Sequence, residues 1–404
     1  MRTLLLATFL TGCAHQAGPP GLQIWAHEGR ESERQVLTAQ VERFQHEHSG
    51  PPLHLTFLPE GNYNSQVQAA ALAQKLPDVL EFDGPLLYRY VWQGCLQPLE
   101  TQLKQSTLDN LLPSIQKQGS FRGHLYSLGA FDSGLGLYGR KSLIRQAGAR
   151  LPKSPDEAWT AAEFTQLLEN LAREDTDGQV LDLKLNYQGE WFTYAFSPAL
   201  ASAGTDLSHL ESPAASQVLN TIQGWNEQGR VDANVDDAAF LTGRVALSWV
   251  GHWEYPRYAS RWGDDLCLLP LPNFGHGTRS GQGSWNWAVT TACQPSGRAV
   301  EFLEFLLQDE QVLEMSDANG AVPATRSAIA RSKLYGANGP LRLFSNQLLQ
   351  GWTAPRPRTP AYPLMTSVFQ QTMQDVLHGA PVDQVLGQAA AEIRQDDLDN
   401  QGYR

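Results

Sequence analysis

Between residues 22 and 83 short apolar runs alternate with amphipathic ones, and this alternation restricts the fold more than any other feature of the chain. Leu22-Gln23-Ile24-Trp25-Ala26 reads as a strand, and residues 31–48 read as a helix with Leu37, Val41, Phe44 and His48 on one face. A second strand over 53–57, an Ala-rich helix over 66–75 closed by Pro77, and a third strand over 79–83 follow. Strand-helix-strand-helix-strand implies a parallel sheet with helices on both faces, an α/β architecture. The chain has 404 residues, too many for one ordinary core, so two lobes are expected. Further on, helices are expected over 155–172 (Trp159, Phe164, Leu167, Leu168 and Leu171 apolar), 216–228, 297–315, 364–378 and 382–393. Strands are expected over 245–249, 265–269 and 288–293.

The formal net charge is -12, which argues against a nucleic-acid partner, because phosphate binding needs a basic face. Several of the 11 Trp sit beside Gly, Asn or His, a placement that suits ligand stacking as well as core packing. Met1-Arg2, an apolar run over 4–10 and Leu10-Thr11-Gly12-Cys13 open the chain. The run is too short to span a bilayer and reads as a signal peptide. The Leu-Thr-Gly-Cys string resembles a lipobox, so residues 1–13 are expected to end in a lipidated Cys13, with 14–21 as a flexible tether. This places the chain outside the cytoplasm, in a periplasm or at a cell surface, held to a bacterial membrane by lipid. Of the remaining Cys95, Cys267 and Cys293, Cys267 and Cys293 fall in expected strands joined by a Gly-rich segment. A bridge between them is open against free buried thiols. The cysteine spacings match no zinc site, and no metal or cofactor is expected.

Six stretches carry a family resemblance. They are Leu76-Pro77-Asp78-Val79; Gly123-His124-Leu125-Tyr126-Ser127-Leu128 with Leu137-Tyr138-Gly139-Arg140; and Phe240 through Trp253 (Phe-Leu-Thr-Gly-Arg-Val-Ala-Leu-Ser-Trp-Val-Gly-His-Trp). Then come Leu269-Pro270-Leu271-Pro272 with Trp285-Asn286-Trp287-Ala288-Val289, the helix after Ala299, and Asn319-Gly320-Ala321-Val322-Pro323-Ala324. In this order they resemble the extracellular solute-binding proteins of sugar ABC importers, the maltose-binding-protein-like group. Leu-Tyr-Gly-Arg stands where that group usually has Tyr-Tyr-Asn-Lys. The resemblance implies a two-lobed periplasmic-binding-protein fold of type II, with a hinge and an interlobe cleft. Lobe one would take 22–127 and 270–320, and lobe two 128–269 and 321–404. It also implies a monomer that carries a sugar to ABC permease subunits, and the number of Trp and Tyr points to a di- or oligosaccharide over a monosaccharide.

A sugar presents hydroxyl rims and flat C–H faces. Carboxylates and amides match the first, and aromatic rings cover the second. Open α/β sheets hold ligands just past their strand ends. Candidates are therefore Trp25 and Glu28 after the first strand, Asn62 and Tyr63 after the second, and Asp83 at the end of the third. Asp132 lies in the crossing segment, and Tyr187 and Trp191 in an aromatic cluster. Trp249, Gly251, His252 and Trp253 follow a later strand, Trp285 and Asn286 a Gly-rich loop, Asn319 precedes a hinge, and Arg358 lies between prolines. Each also has a plainer role as cap, turn or core residue. A polyamine or glycerol phosphate is the alternative ligand, though few Arg or Lys sit near the strand ends. A lipid-anchored glycoside hydrolase is the enzyme alternative, but no catalytic motif supports it.

Overall fold

The computed structural model describes residues 21–404 except Gln188 and Ser284, and leaves the side chain of Glu60 aside. Cys13, the signal segment and residues 14–20 of the tether lie outside the described residues.

Two sheets organise the chain. In the five-stranded sheet, Leu53–Leu58, Leu22–His27 and Val79–Asp83 run parallel, Trp285–Val289 is antiparallel to Val79–Asp83, and Leu128–Gly129 is antiparallel to Trp285–Val289 in turn. The N-terminal alternation therefore forms the expected parallel unit. Register is set by the two-residue period: Ile24 and Ala26 point into the core under the Glu31–Glu47 helix, whose buried face is Leu37, Gln40, Val41 and Phe44. Leu128–Gly129, expected to open the second lobe, instead closes this sheet's edge, because it pairs with Trp285–Val289.

The four-stranded sheet is ordered Leu266–Leu269, Leu135–Arg140, Leu247–Gly251 and Leu181–Asp182. The Ala161–Glu174 helix covers it with Phe164, Leu167, Leu168 and Leu171 buried. Its start lies at Thr160 rather than near residue 155. Thr160 Oγ1 accepts the Glu163 N–H at 3.1 Å, and the Glu163 carboxylate accepts the Thr160 N–H at 2.8 Å. The stretch expected as one helix over 297–315 is two, Gly297–Leu306 and Asp309–Asn319, because Gln308 takes an extended conformation between them.

The chain passes from the first sheet to the second between residues 129 and 135 and returns between 269 and 285. Two short ladders lie on these passages: Phe131–Asp132 with Val322–Pro323, and Ser280–Gly281 with Thr353–Ala354. No helix among the described residues is long and apolar enough to cross a membrane.

The bridge considered between Cys267 and Cys293 does not form; both are free, as is Cys95. Cys267 sits in the Leu266–Leu269 strand of the second sheet, whereas Cys293 follows the Trp285–Val289 strand of the first. The Gly-rich segment joins two sheets and does not lay neighbouring strands side by side. Burial raises both thiols to about 12.

Candidate functional site

Polar and aromatic groups from both sheets meet at the seam between them. Asp83 ends its strand and turns the chain at Gly84-Pro85. Its carboxylate takes both arms of the Arg356 guanidinium, each at 2.5 Å, a bidentate, charge-assisted pair. Arg356 stands between Pro355 and Pro357, 273 positions away in sequence, and is 7% exposed. Its guanidinium lies 5.2 Å from the Tyr194 ring centroid and 3.3 Å from Glu190. Glu190 also accepts the Tyr362 and Thr366 hydroxyls. Burial, and then the charge of Asp83, raises the Glu190 carboxyl above the usual carboxylate range.

A second group forms at the end of the first strand. The His27 and Trp285 rings stack at 3.8 Å with planes 2° apart, and Tyr63 meets Trp285 edge-on at 5.1 Å. His27 Nδ1 lies 2.7 Å from Glu81, and Nε2 lies 3.5 Å from Glu33. Burial alone would lower the imidazole; the two carboxylates outweigh it and hold it at about 10. Trp285 therefore rests on a charged imidazolium.

The third group spans the seam. Glu254, wholly buried, receives Arg30 from the start of the first long helix at 2.5 Å, Arg257 at 3.0 Å and the Tyr187 hydroxyl at 3.2 Å. Trp253 donates Nε1 to the same Tyr187 hydroxyl at 3.3 Å, and Trp191 meets both rings edge-on. Gly251 is required here: a Cβ would meet the Trp253 ring at 2.1 Å. His252 joins the Asn319 carbonyl at 3.1 Å to Ser133 Oγ at 3.0 Å, and burial lowers it to about 4. Asp132 is fully buried, accepts the N–H groups of Ser133 and Gly283 at 2.8 and 3.0 Å and Gln118 at 3.1 Å, and is raised by burial.

The structure thus gathers Tyr63, Asp83, Asp132, Tyr187, Trp191, His252, Trp253, Trp285 and Asn319 near the seam. Asn286 is buried beside Ser127, to which it donates at 3.3 Å. Arg358 is at the surface, donating to Tyr88 Oη at 2.9 Å and the Ser120 carbonyl at 2.8 Å. Four candidates stand apart. Trp249 packs on Phe196 in the second sheet's core, and Trp25 packs within the first sheet against the Tyr63 and Phe82 cluster. Glu28 is exposed, and Asn62 is exposed and binds Gln66 one turn on. The pairing of prolines around Arg356 and Arg358 marks both as candidate cleft residues, and of the two it is Arg356 that reaches the seam, whereas Glu190, Glu254 and Arg30 were passed over. The available signal was a carboxylate directly flanking Trp191 and Trp253. The pocket beside Asp83 and Arg356 is partly open to solvent and has a cavity volume of about 20 Å³, room for about one water.

The family described as bacterial extracellular solute-binding protein matches residues 39–339. Solved structures with the same frame include the GacH receptor of Streptomyces glaucescens, determined unliganded and with acarbose. It is 20% identical with TM-score 0.77, and the match covers 95% of this chain and 98% of that one. An ABC transporter solute-binding protein of Thermotoga lettingae bound to α-D-tagatose is 19% identical with TM-score 0.79, over 93% and 99% of the two chains. A mannitol-binding protein of Pseudomonas aeruginosa is 38% identical over 68 residues, which is 17% of this chain and only 15% of that protein. Matched along most of its length and built on the same two-lobed frame, the chain belongs to the bacterial extracellular solute-binding proteins.

Proposed function

We propose that this chain is the sugar receptor of an ABC-type importer. It takes a di- or oligosaccharide between two lobes that meet near residues 129–135, 269–285 and 321, and it hands the sugar to permease subunits. Cys13 carries the lipid that keeps the receptor, a monomer, at the membrane. The family works outside the cytoplasm, which fits that anchor. The observation that carries the reading is the seam itself. Ring faces (Trp253, Trp285, Tyr187, Tyr194) alternate there with carboxylates (Asp83, Glu190, Glu254, Asp132) contributed by both sheets, each holding protein partners in this arrangement. Relatives of the same fold hold acarbose and tagatose, which supports a carbohydrate ligand.

The cavity beside Asp83 is small, about 20 Å³, which fits a sugar entering as the lobes part. Closure then replaces its hydration with matched hydrogen bonds from the second lobe. A ligand shifts this equilibrium only by its differential affinity for the closed form. A thermal-shift screen over neutral and acidic mono- and disaccharides and polyols tests the reading. A sugar at 100 times its Kd adds about 2.7 kcal/mol to stability. A panel with no stabilising sugar, alongside a stabilising non-sugar solute, would overturn it.

A further inference from the structure

We infer that the sugar taken by this cleft carries an anionic oxygen group, a carboxylate or a phosphate ester, seated between Lys117, Arg356 and Arg358. The inference rests on the sugar-receptor reading and narrows it to acidic sugars.

The pocket at the seam is lined by Gly84, Pro85 and Tyr88 together with Pro355, Arg356 and Arg358. Its charged lining residues are Lys117, Arg356 and Arg358; no carboxylate lines it. In a chain of net charge -12 this is against the background. The acids nearby are committed elsewhere. Asp83 spends both oxygens on Arg356, Asp132 faces the N–H groups of Ser133 and Gly283 and the Gln118 amide, and Glu190 holds the Tyr362 and Thr366 hydroxyls. Arg358 donates to two neutral oxygens, Tyr88 Oη and the Ser120 carbonyl. Among the described residues no carboxylate pairs with Arg358 or Lys117, so two exposed cations stand beside the pocket without an acidic partner.

Two further features point the same way. Arg356 Nε is buried without a hydrogen-bond partner, and a buried donor on a charged group is costly unless an acceptor reaches it. Gly283, at φ +115, takes a backbone conformation that other residues rarely adopt, and this keeps side-chain bulk off the pocket floor. A Cβ there would stand 3.4 Å from the Arg356 guanidinium and 3.5 Å from Gln118 Oε1. The amides of Gln118 and Gln282 beside the cations suit the hydroxyls of the same ligand. The linear sequence shows few cations near strand ends; the fold brings these three to one.

Calorimetric titration of the full chain with a neutral disaccharide, its uronate counterpart and its phosphate ester tests this. We expect at least one acidic form to bind about tenfold more tightly than the neutral one at low salt. The gap should shrink at about 0.5 M salt. Whichever acidic form binds more tightly identifies the carboxylate or the phosphate. Lys117→Gln with Arg358→Gln should close the gap with an unchanged unfolding midpoint, while Arg358→Lys should keep most of it. Equal or tighter binding of the neutral sugar, or a gap untouched by the double substitution, overturns the inference and leaves the receptor reading standing. No binding by any of the three, or by any sugar of the wider panel, removes both.

Discussion

His27 and His252 lie at the seam with opposite electrostatics, and the difference has a measurable consequence. His27 is raised from 6.5 to about 10, so its folded form holds a proton that the unfolded chain has lost; stability falls as pH rises from 6.5 through 10. His252 is lowered from 6.5 to about 4, so the unfolded chain binds a proton that the folded one refuses; stability falls as pH drops from 6.5 through 4. The contributions of these two histidines therefore fall away on either side of pH 6.5. His27→Gln should flatten the alkaline limb and His252→Asn the acid limb, and a midpoint unchanged across the range in the parent chain would refute the assignment. Gly251 offers a steric test. Its substitution by Ala drives a methyl into the Trp253 ring. Overpacking of this kind costs about 1–3 kcal/mol in denaturant melts, with weakened sugar binding if Trp253 stacks on the ligand. The cysteines mark where residue-level reading stops. Strand position and export made Cys267–Cys293 a reasonable pair, but two strands joined by a flexible segment need not share a sheet. Unfolding without reductant should release Cys95, Cys267 and Cys293 as three titratable thiols.

At the scale of elements, what was legible is what local physics determines. The strands at Leu22–His27, Leu53–Leu58 and Val79–Asp83 announce themselves by alternation and by the helices between them. The helix at Ala161–Glu174 shows its buried stripe plainly, while its true start needed the reciprocal Thr160–Glu163 cap to be recognised. Thr160→Ala should cost about 1 kcal/mol in chemical denaturation; a loss below a few tenths would show the cap to be idle. The break at Gln308 was hidden because apolar periodicity runs through it, from Val300 and Phe302 to Val312 and Met315, with no Gly or Pro to punctuate it. Leu128–Gly129 was hidden for another reason: two residues carry no period, and their sheet is chosen by a partner more than 150 positions away.

At the scale of the whole molecule, the site is a product of the long-range fold. Asp83 stood out because it ends a strand before Gly-Pro, and the tryptophans because they sit in polar loops. Their partners could not be read the same way. Asp83 meets Arg356, and Arg30 meets Glu254 224 positions away, only after the chain has crossed between sheets. The Arg30–Glu254 pair and the His252–Asn319 contact join the five-stranded sheet's side of the seam to the other. A buried pair is costly to leave half-made, so each contact broken on opening must be offset by water or ligand. Small-angle scattering with and without the sugar that most raises the unfolding midpoint addresses the account most directly. Two lobes that shut on a sugar give a larger radius of gyration without it and a contraction at saturation. An unchanged radius with a sugar shown to bind would contradict it.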